Sequence, residues 1–539
     1  MPRANVAPVG TTTLRRCALA AMLAASMQCV PRRQVEPPEL ATDDVQQPEP
    51  TTSAARRPRL VVLLVVDQLP SWSFEPQRAA LDGGIARLLE RGVYWPHARY
   101  PYAGTHTAPG HATIGTGAPP SVHGVVANRW IDAKSGELRE VGEDATHLVL
   151  DPQGGAPHEP GFSSARLEVD GLAEALHAGH GREAKAIAIG LKARAAGHVL
   201  GRHPDLALWF DNKSGALTSS VAFVEALPPW VVAFDHAHPP DVVLAQRWIA
   251  EDPKRLAALA GGPDDRPGEG DPYGLGTTFP HDLSASKNPA KAFASTPMAS
   301  TLLVDAAIAA LDGARLGDDD VPDLLAVTFS AHDYAGHAWC QESWERVDHL
   351  LRLDRDVGRL LDALDRHVGR ERYAVVLTSD HGSTPSIALS GATLVLADDV
   401  GKAAAAAAER VLGPGRWVAG TTVLGVTASP ELDALEPERR DRAITAMVEA
   451  IAALPGIGFV ARSDRLAGRC DERSGVEALA CRSVLAGRSG LLYVAAAPGA
   501  LLNDDPSECT AHGSPHVYDR EVPLVVVAPG TAAREVSEE

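Results

Sequence analysis

The chain has 539 residues, of which 45% are hydrophobic and 22% are charged, and its formal net charge is −19. This composition is ordinary for a globular protein, and the length allows either several domains or one large α/β unit with insertions. The acidic balance excludes a nucleic-acid duplex held by a basic surface, and it is compatible with bound cations.

The first residues differ in composition from the rest of the chain. Two arginines at 15–16 precede a short apolar run at 17–27, which predicts a signal peptide over residues 1–29. Residues 30–58, rich in Pro, Gln, Glu, Thr and Arg, are predicted to form a disordered linker. We therefore expect an exported protein, periplasmic or extracellular. A lipid anchor at Cys29 is the alternative to simple cleavage of the signal peptide. The three residues before Cys29 match a lipobox poorly, and this favours simple cleavage. No later stretch predicts a transmembrane span.

Four cysteines lie outside the signal region, and an exported protein meets an oxidising environment in which disulfides form. They are Cys340, Cys470, Cys481 and Cys509. The two that are close in sequence, Cys470 and Cys481, are the preferred pair, and none of the four has zinc-finger spacing.

Continuous runs of β-branched and leucine residues predict strands buried on both faces, as in a parallel sheet. They occupy 59–66, 324–329 and 373–378. Two further strands are predicted, one at 185–189 and one at 522–527 that closes the sheet. Amphipathic or apolar helices are predicted between them, at 83–92, 296–311 and 342–367. This alternation predicts an α/β protein. Asp67 directly follows the first strand, at the edge where open α/β sheets bind ligands, although a lone aspartate there is more often a cap.

The stretch from Pro101 to Trp130 places two hydroxyls, Thr105 and Thr107, just before Ala-Pro-Gly. Proline suits the first turn of a helix, and the N-terminus of a helix favours an anion. Either threonine is therefore a helix cap or a nucleophile that faces a phosphate. Asn128, 21 residues after Thr107, is a turn former or a donor to a phosphate oxygen.

Two cations, Lys192 and Arg194, follow the predicted strand that ends at Ile189. They alternate, so in extended backbone they would point to the same side and could hold an anion together. The alternative is a pair of exposed charges.

Metal-ligand residue types recur at the ends of the later strands. Asp333 and His337 are four apart, so they share one face of a helical turn. Asp380 and His381 follow a strand directly, and His512 precedes the last one. Together with Asp67, these oxygen and imidazole ligands suffice for two metal ions. Oxygen and imidazole ligands without thiolate suit zinc, and the same ligands also admit manganese or iron.

The order of these motifs resembles the alkaline phosphatase superfamily, and in particular its threonine-nucleophile, phosphate-irrepressible alkaline phosphatases. The resemblance runs from about Arg59 to Pro529. The matching motifs are Asp67, Thr107-Ala-Pro-Gly-His, Asn128, Lys192-x-Arg194, Asp333-x-x-x-His337, Asp380-His381-Gly and His512-Gly-Ser. The resemblance implies an α/β fold with a mostly parallel central sheet flanked by helices and with inserted cap segments. The catalytic domain is expected over 59–533, with insertions around 198–295 and 390–500.

The resemblance also implies a role for each matched residue. Thr107 would be the nucleophile that forms a phosphothreonine, and Asn128, Lys192 and Arg194 would contact phosphoryl oxygens. Two Zn²⁺ ions per chain are implied, one held by Asp67, Thr107, Asp380 and His381, the other by Asp333, His337 and His512. Arg129 departs from the pattern, since relatives often carry an acid there.

These residues predict a hydrolase that releases inorganic phosphate from small-molecule phosphate monoesters. The first alternative is a nucleotide pyrophosphatase/phosphodiesterase, which shares the metals, the threonine and the asparagine. That group has an apolar or nucleoside-binding surface in place of the Lys192–Arg194 pair, so the pair favours the monoesterase. The second alternative, a non-catalytic metal- or phosphate-binding relative, predicts a lost ligand or nucleophile, and none is missing.

Overall fold

The computed structural model describes residues 57–271 and 273–537. The predicted signal peptide, Cys29 and all but the end of the predicted linker lie outside the described residues. Within them, no helix is both long enough and apolar enough to cross a membrane.

The strands of the described residues, in chain order, are β1 Leu60–Val66, β2 Val93–Arg99, β3 Arg129–Ile131, β4 Leu138–Glu140, β5 Ala186–Gly190, β6 Leu206–Asp211, β7 Ala216–Thr218, β8 Arg247–Trp248, β9 His281–Asp282, β10 Asp323–Phe329, β11 Tyr373–Thr378, β12 Thr393–Leu396, β13 Val418–Thr422, β14 Gly425–Ala428, β15 Ile457–Arg462, β16 Leu492–Ala496, β17 Ala500–Asn503, β18 Glu521–Val527 and β19 Arg534–Glu535.

The α-helices of the same residues are α1 Ser71–Gln77, α2 Gly84–Arg91, α3 Thr107–Thr116, α4 Pro120–His123, α5 Leu172–His180, α6 Ala193–His198, α7 Pro229–Ala237, α8 Pro240–Val243, α9 Pro253–Ala260, α10 Pro289–Ala294, α11 Pro297–Gly313, α12 Ala331–Trp339, α13 Trp344–His367, α14 Ile387–Ser390, α15 Ala397–Leu412, α16 Pro430–Asp433, α17 Pro437–Ala452, α18 Ser463–Leu466, α19 Gly475–Cys481 and α20 Val517–Arg520.

A nine-stranded sheet in the order β19-β2-β18-β11-β1-β10-β5-β6-β7 forms the centre of the fold. The five strands from β11 to β6 run parallel, and β18 pairs antiparallel with both β11 and β2. The predicted mostly parallel α/β sheet is thus confirmed. The sheet does not end at 522–527: β18 is an interior strand. Because the parallel strands share one direction, their carboxyl ends meet at one edge.

The central strand β1 shows why the sheet is buried on both sides. Leu60, Val62 and Leu64 belong to the cluster that also contains residues of α2, α11 and α13. Leu63 and Val65 belong to a second cluster with residues of α5 and α6. Alternate residues of a strand face opposite sides, so helices cover both faces of the parallel part of the sheet.

A second, antiparallel sheet in the order β13-β14-β16-β15 lies within the region predicted as an insertion around 390–500. Helices α15 and α17 pack in one hydrophobic cluster with residues of this sheet. Helices alternate with short strands in this region. The predicted domain boundaries stay a prediction.

Two disulfides are present, Cys470–Cys481 and Cys340–Cys509. The first is the pair that sequence proximity favoured. The second joins the residue that follows α12 to the loop before His512, across 169 residues of sequence. It therefore ties together two segments that carry candidate ligands.

The carboxylate of Asp354 on α13 organises the start of α2. It is buried, and its two oxygens accept hydrogen bonds from four backbone N–H groups, those of Asp82, Gly83, Ile85 and Ala86, at 2.6–3.2 Å. One carboxylate thus caps a helix that lies far away in sequence.

We predict that Asp354→Ala lowers the free energy of unfolding by about 2–4 kcal/mol, because buried N–H groups lose a charged partner. Urea unfolding of the full chain measures this. Asp362→Ala is the control. The Asp362 side chain pairs with Arg87 and is 57% exposed, and such an exposed pair contributes less than about 1 kcal/mol. Equal losses in the two variants would contradict the capping role.

Candidate functional site

The carboxyl edge of the parallel sheet brings the predicted residues together. Asp67 directly follows β1, Lys192 follows β5 by two residues, and Asp380 follows β11 by two. Helix α12, which carries Asp333 and His337, begins two residues after β10. Neighbouring parallel strands thus deliver these side chains to one place, as the sequence predicted.

Thr107 is the first residue of α3 and is buried, with 1% of its surface exposed. Pro109 lies in the first turn of this helix, the position that suits proline. The backbone N–H of Ala108 donates to Asn128 Oδ1 at 2.8 Å, so Asn128 caps this end of the helix. That bond orients the side-chain amide of Asn128, whose NH₂ group is then available to donate a hydrogen bond to a ligand in the cavity.

Thr105 lies outside α3. Its backbone carbonyl accepts from His512 Nδ1 at 2.8 Å, and its hydroxyl is buried without a hydrogen-bond partner among the described residues. The cavity beside the site is lined by Thr107 but not by Thr105. Of the two threonines, Thr107 is therefore the one that faces the site.

The two cations after β5 both reach the site, but not in the predicted way. Lys192 is extended and caps α6, whereas Arg194 is already within that helix, because the chain turns into a crossover helix directly after the strand. The expectation of an extended Lys-x-Arg segment was wrong. Arg194 lines the cavity, and its Nε is buried without a hydrogen-bond partner among the described residues.

Lys192 lies between two carboxylates. Its Nζ is 2.8 Å from Asp67 Oδ2 and 2.5 Å from Asp333 Oδ2, and all three side chains are at least 96% buried. Burial acts to raise the pKa of Asp333, but Lys192 and the neighbouring imidazoles hold it well below its usual value. Burial likewise acts to lower the pKa of Lys192, and Asp333 and Asp67 raise it nonetheless. Both carboxylates are therefore ionised at neutral pH.

Ligand atoms converge in two groups, each within 4.8 Å: Asp333, His337 and His512, and Asp67, Asp333 and His381. Asp333 belongs to both groups. The resemblance implied that Asp333 serves one ion only, whereas this arrangement places its carboxylate between the two groups. Asp380 lies beside the second group, with its Oδ2 3.4 Å from His381 Nε2.

Orphaned polar atoms provide a test of whether these groups fit a cation. Asp67 Oδ1, Asp380 Oδ2 and His381 Nε2 are buried and have no hydrogen-bond partner among the described residues. Imidazole nitrogens lie near these oxygens, with His381 Nε2 3.4 Å from both and His111 Nδ1 3.1 Å from Asp380 Oδ2. Buried carboxylate oxygens without hydrogen bonds are nonetheless costly, and a bound cation lowers that cost. Burial also holds the pKa of His512 well below its usual value, which keeps the imidazole neutral, the form that binds metal. The donors are oxygen and imidazole nitrogen, so the set fits a divalent ion such as zinc.

An open cavity of about 610 Å³ lies beside these groups. Thr107, Asn128, Arg194, Asp333, His337 and His512 line its floor, as the sequence predicted for a common site. Its walls include Tyr273, Tyr334, Leu424, Asp504 and Glu508. Arg129, the departure from the family pattern, pairs with Asp504 at 3.0 Å.

Several contacts escaped the sequence reasoning. His111 Nδ1 lies 2.8 Å from the carbonyl of Thr107 and 3.1 Å from Asp380 Oδ2, and its helical spacing from Thr107 could have indicated this. Glu508 Oε2 lies 3.3 Å from His337 Nδ1. No periodic pattern surrounds Glu508, so nothing in the sequence pointed to it. Gln68 contacts both Asp333 and Asp380.

Comparison with known proteins agrees with this geometry. The sequence model of the type I phosphodiesterase / nucleotide pyrophosphatase family matches residues 61–517. Alkaline phosphatase PafA of Elizabethkingia meningoseptica is 32% identical over 352 residues, which is 62% of this chain and 62% of that protein. Alkaline phosphatase PhoV of Synechococcus elongatus is 32% identical over 343 residues, 63% of this chain and 61% of that protein. The chain thus spans about three fifths of the length of these curated relatives.

The crystal structure of wild-type PafA matches the fold with a TM-score of 0.82 at 27% identity, covering 90% of this chain and 94% of that one. The predicted fold and the resemblance to the alkaline phosphatase superfamily are both confirmed.

We predict that a chelator lowers the thermal unfolding midpoint and that added Zn²⁺ restores it, because an ion bound only to the folded state contributes about 2.7 kcal/mol at a hundred times its Kd. His512→Ala should reduce this shift. His180→Ala, at an exposed residue of α5, should retain it in full. Identical shifts in the two variants would exclude His512 as a ligand.

Proposed function

The chain belongs to the type I phosphodiesterase / nucleotide pyrophosphatase family of the alkaline phosphatase superfamily, and on that basis we propose that it hydrolyses phosphate monoesters through a phosphothreonine at Thr107. One observation carries the proposal. Thr107 is the first residue of a helix, and its hydroxyl lies 3.4 Å from Lys192 Nζ. It shares a cavity with Arg194 and with one group of metal-ligand residues, Asp333, His337 and His512. The relatives named alkaline phosphatase support it.

Two zinc ions complete the proposed site. Their proposed ligands are Asp67, Thr107, Asp380 and His381 for one ion and Asp333, His337 and His512 for the other, with the Asp333 carboxylate close to both groups. When bound, such ions supply positive charge that favours the ionised threonine hydroxyl and the oxygen that leaves phosphorus.

Side chains of the protein supply the nucleophile and bind the phosphoryl group. Thr107 Oγ1 forms a bond to phosphorus as the ester P–O bond breaks and the alcohol departs, and water then cleaves the phosphothreonine to release inorganic phosphate. The positive, N-terminal end of the α3 helix dipole favours the phosphoryl charge. Lys192 Nζ is within reach of an oxygen on a Thr107-bound phosphoryl group. The remaining phosphoryl oxygens are bound by Arg194 and by the NH₂ group of Asn128. Arg194 is available for this because it has no ion pair among the described residues.

The nucleotide pyrophosphatase/phosphodiesterase alternative uses the same threonine and ligands. The Lys192–Arg194 pair distinguishes the two functions, because a monoester dianion carries one more charged oxygen than a diester. Two buried or cavity-lining cations beside the nucleophile suit that extra charge. A non-catalytic relative is the weaker alternative, since nucleophile, cations and ligands all lie together.

The proposed location is outside the cytoplasm, in the periplasm or the extracellular space. The Cys340–Cys509 and Cys470–Cys481 disulfides support it, because such bonds persist in oxidising compartments.

Thr107→Ala is expected to abolish the phosphoenzyme and to lower kcat on an aryl phosphate monoester by on the order of 10³-fold or more. Acid quenching with a labelled monoester followed by phosphoamino-acid analysis measures the intermediate. Thr105→Ala is the matched control and should retain it. Loss of the intermediate in the Thr105 variant alone would reassign the nucleophile.

The Lys192→Ala and Arg194→Ala variants should lose monoester hydrolysis far more than diester hydrolysis. Each charge-assisted contact to the extra oxygen is worth about 1.5–3 kcal/mol, or roughly 10- to 150-fold in kcat/KM. Parallel assays with a mono-aryl and a bis-aryl phosphate ester measure the ratio, and the wild type should prefer the monoester. A wild-type preference for the diester would favour the alternative function, and equal losses would mean that the pair does not recognise the extra charge.

A further inference from the structure

A chain of four buried side chains leads from α13 to the Asp333 carboxylate. Arg346 Nε and Nη2 donate to Gln341 Oε1 at 3.2 and 2.5 Å. Gln341 Nε2 donates to Gln68 Oε1 at 2.5 Å, and Gln68 Nε2 donates to Asp333 Oδ1 at 3.0 Å. Each of the four residues has at most 3% of its surface exposed. Water therefore does not compete for these groups.

The chemistry of the two ends fixes the direction of this chain. A guanidinium group has donors only, so Gln341 must present its carbonyl oxygen to Arg346 and its NH₂ group to Gln68. An ionised carboxylate accepts only, so Gln68 must present its NH₂ group to Asp333. Rotating either amide would place like groups against each other. Arg346 and Asp333 therefore determine which atom of each amide is the oxygen and which is the nitrogen.

The backbone of Gln68 is also engaged on both sides. Its N–H donates to Asp380 Oδ1 at 3.2 Å, and its carbonyl accepts from Arg346 Nη2 at 3.2 Å. Gln68 adopts φ +62°, the left-handed region that is costly for a residue other than glycine. This conformation, directly after Asp67, lets one residue contact Asp333 and Asp380, which are proposed ligands of different ions.

There is little space for another arrangement around Gln68. A Cβ atom added at Gly336 of α12 would collide with Gln68 Oε1 and Gln341 Nε2. The glycine lets the amide chain pass beside the helix that carries Asp333 and His337. Packing and hydrogen bonding therefore hold the Gln68 side chain in one position.

We propose that Gln68 is a positioning residue of the metal site, which holds the shared Asp333 carboxylate in orientation through the Arg346–Gln341–Gln68 chain. This inference rests on the proposed metal-dependent function. Gln68 is not itself a ligand, because its side-chain carbonyl oxygen accepts from Gln341 and its NH₂ group, which has no lone pair to offer a metal ion, faces Asp333 Oδ1 at 3.0 Å and His337 Nε2 at 3.1 Å. Its role is to restrict Asp333 so that the unprotonated oxygens remain directed at the cation groups on either side.

The test measures zinc affinity by competition with a chromophoric chelator on the full chain, without any substrate. Gln68→Leu should raise the zinc Kd about 10- to 100-fold, as loss of a partner that orients a ligand does in other metal sites. Gln68→Asn should do the same. Asparagine tolerates positive φ better and keeps an amide, but it is one methylene too short to reach Asp333, so it separates the side-chain contact from the backbone conformation.

Gln341→Glu tests the direction of the chain, because Gln341 contacts no candidate ligand. A carboxylate at 341 still accepts from Arg346 but has no proton to donate to Gln68, so the Kd for zinc should rise about tenfold or more. Gln153→Leu, at an exposed loop residue, is the control and should leave the Kd unchanged.

Wild-type zinc affinity in both Gln68 variants would overturn the proposal. So would a Gln68→Leu protein that is destabilised in chelator but keeps its Kd, since that pattern describes a purely structural residue. Loss of one whole ion per chain, with the other at wild-type affinity, would make Gln68 a ligand instead. A wild-type chain that takes up no zinc would overturn both this inference and the proposed function. A chain that binds zinc but hydrolyses no phosphate ester would overturn the proposed function alone.

Discussion

The arrangement of the site depends on keeping the Asp333 carboxylate charged and fixed although it is almost fully buried. Burial of an ion costs several kcal/mol unless charged or hydrogen-bonding groups surround it. Here the partners come from four directions: Lys192 from β5, Gln68 from β1, His337 from the same helix and His512 from the loop before β18. Each of these partners is itself a candidate functional residue or contacts one. The electrostatic requirement of one carboxylate therefore links four segments that are distant in sequence.

Much of this could be read from the sequence, for definite physical reasons. A parallel strand buried on both faces is a continuous apolar run, so β1, β10 and β11 were predicted to within a residue or so of their observed bounds. Their carboxyl ends must meet at one edge, which placed Asp67, Asp333 and Asp380 together. Helical spacing then added His337. These inferences need only local pattern and sheet geometry.

The remainder depends on contacts that no local pattern encodes. Lys192 and Arg194 were assigned to extended backbone because alternation is visible in sequence, whereas the point at which a crossover helix begins is set by packing on the sheet. The contact of Glu508 with His337 depends on a loop that the Cys340–Cys509 disulfide joins to the end of α12. Gln68 directly follows Asp67 in the sequence, yet its contact with Gln341 spans 273 residues and becomes evident only once α12 and α13 are in place.

The residues of the proposed reaction and the residues of the cavity walls lie in different kinds of structure. The groups that would act on phosphorus lie on the parallel sheet edge and on the first turns of α3, α6 and α12, where strand and helix geometry fixes them. The cavity walls instead come largely from irregular segments, including the 423–424 turn between β13 and β14 and the 504–508 loop after β17. Rigid elements position reacting groups better than loops do, and loops vary more readily. The groups of the proposed reaction thus lie in recognisable motifs, whereas the cavity walls that a leaving group would meet come from the second sheet and from loops whose sequences carry no motif.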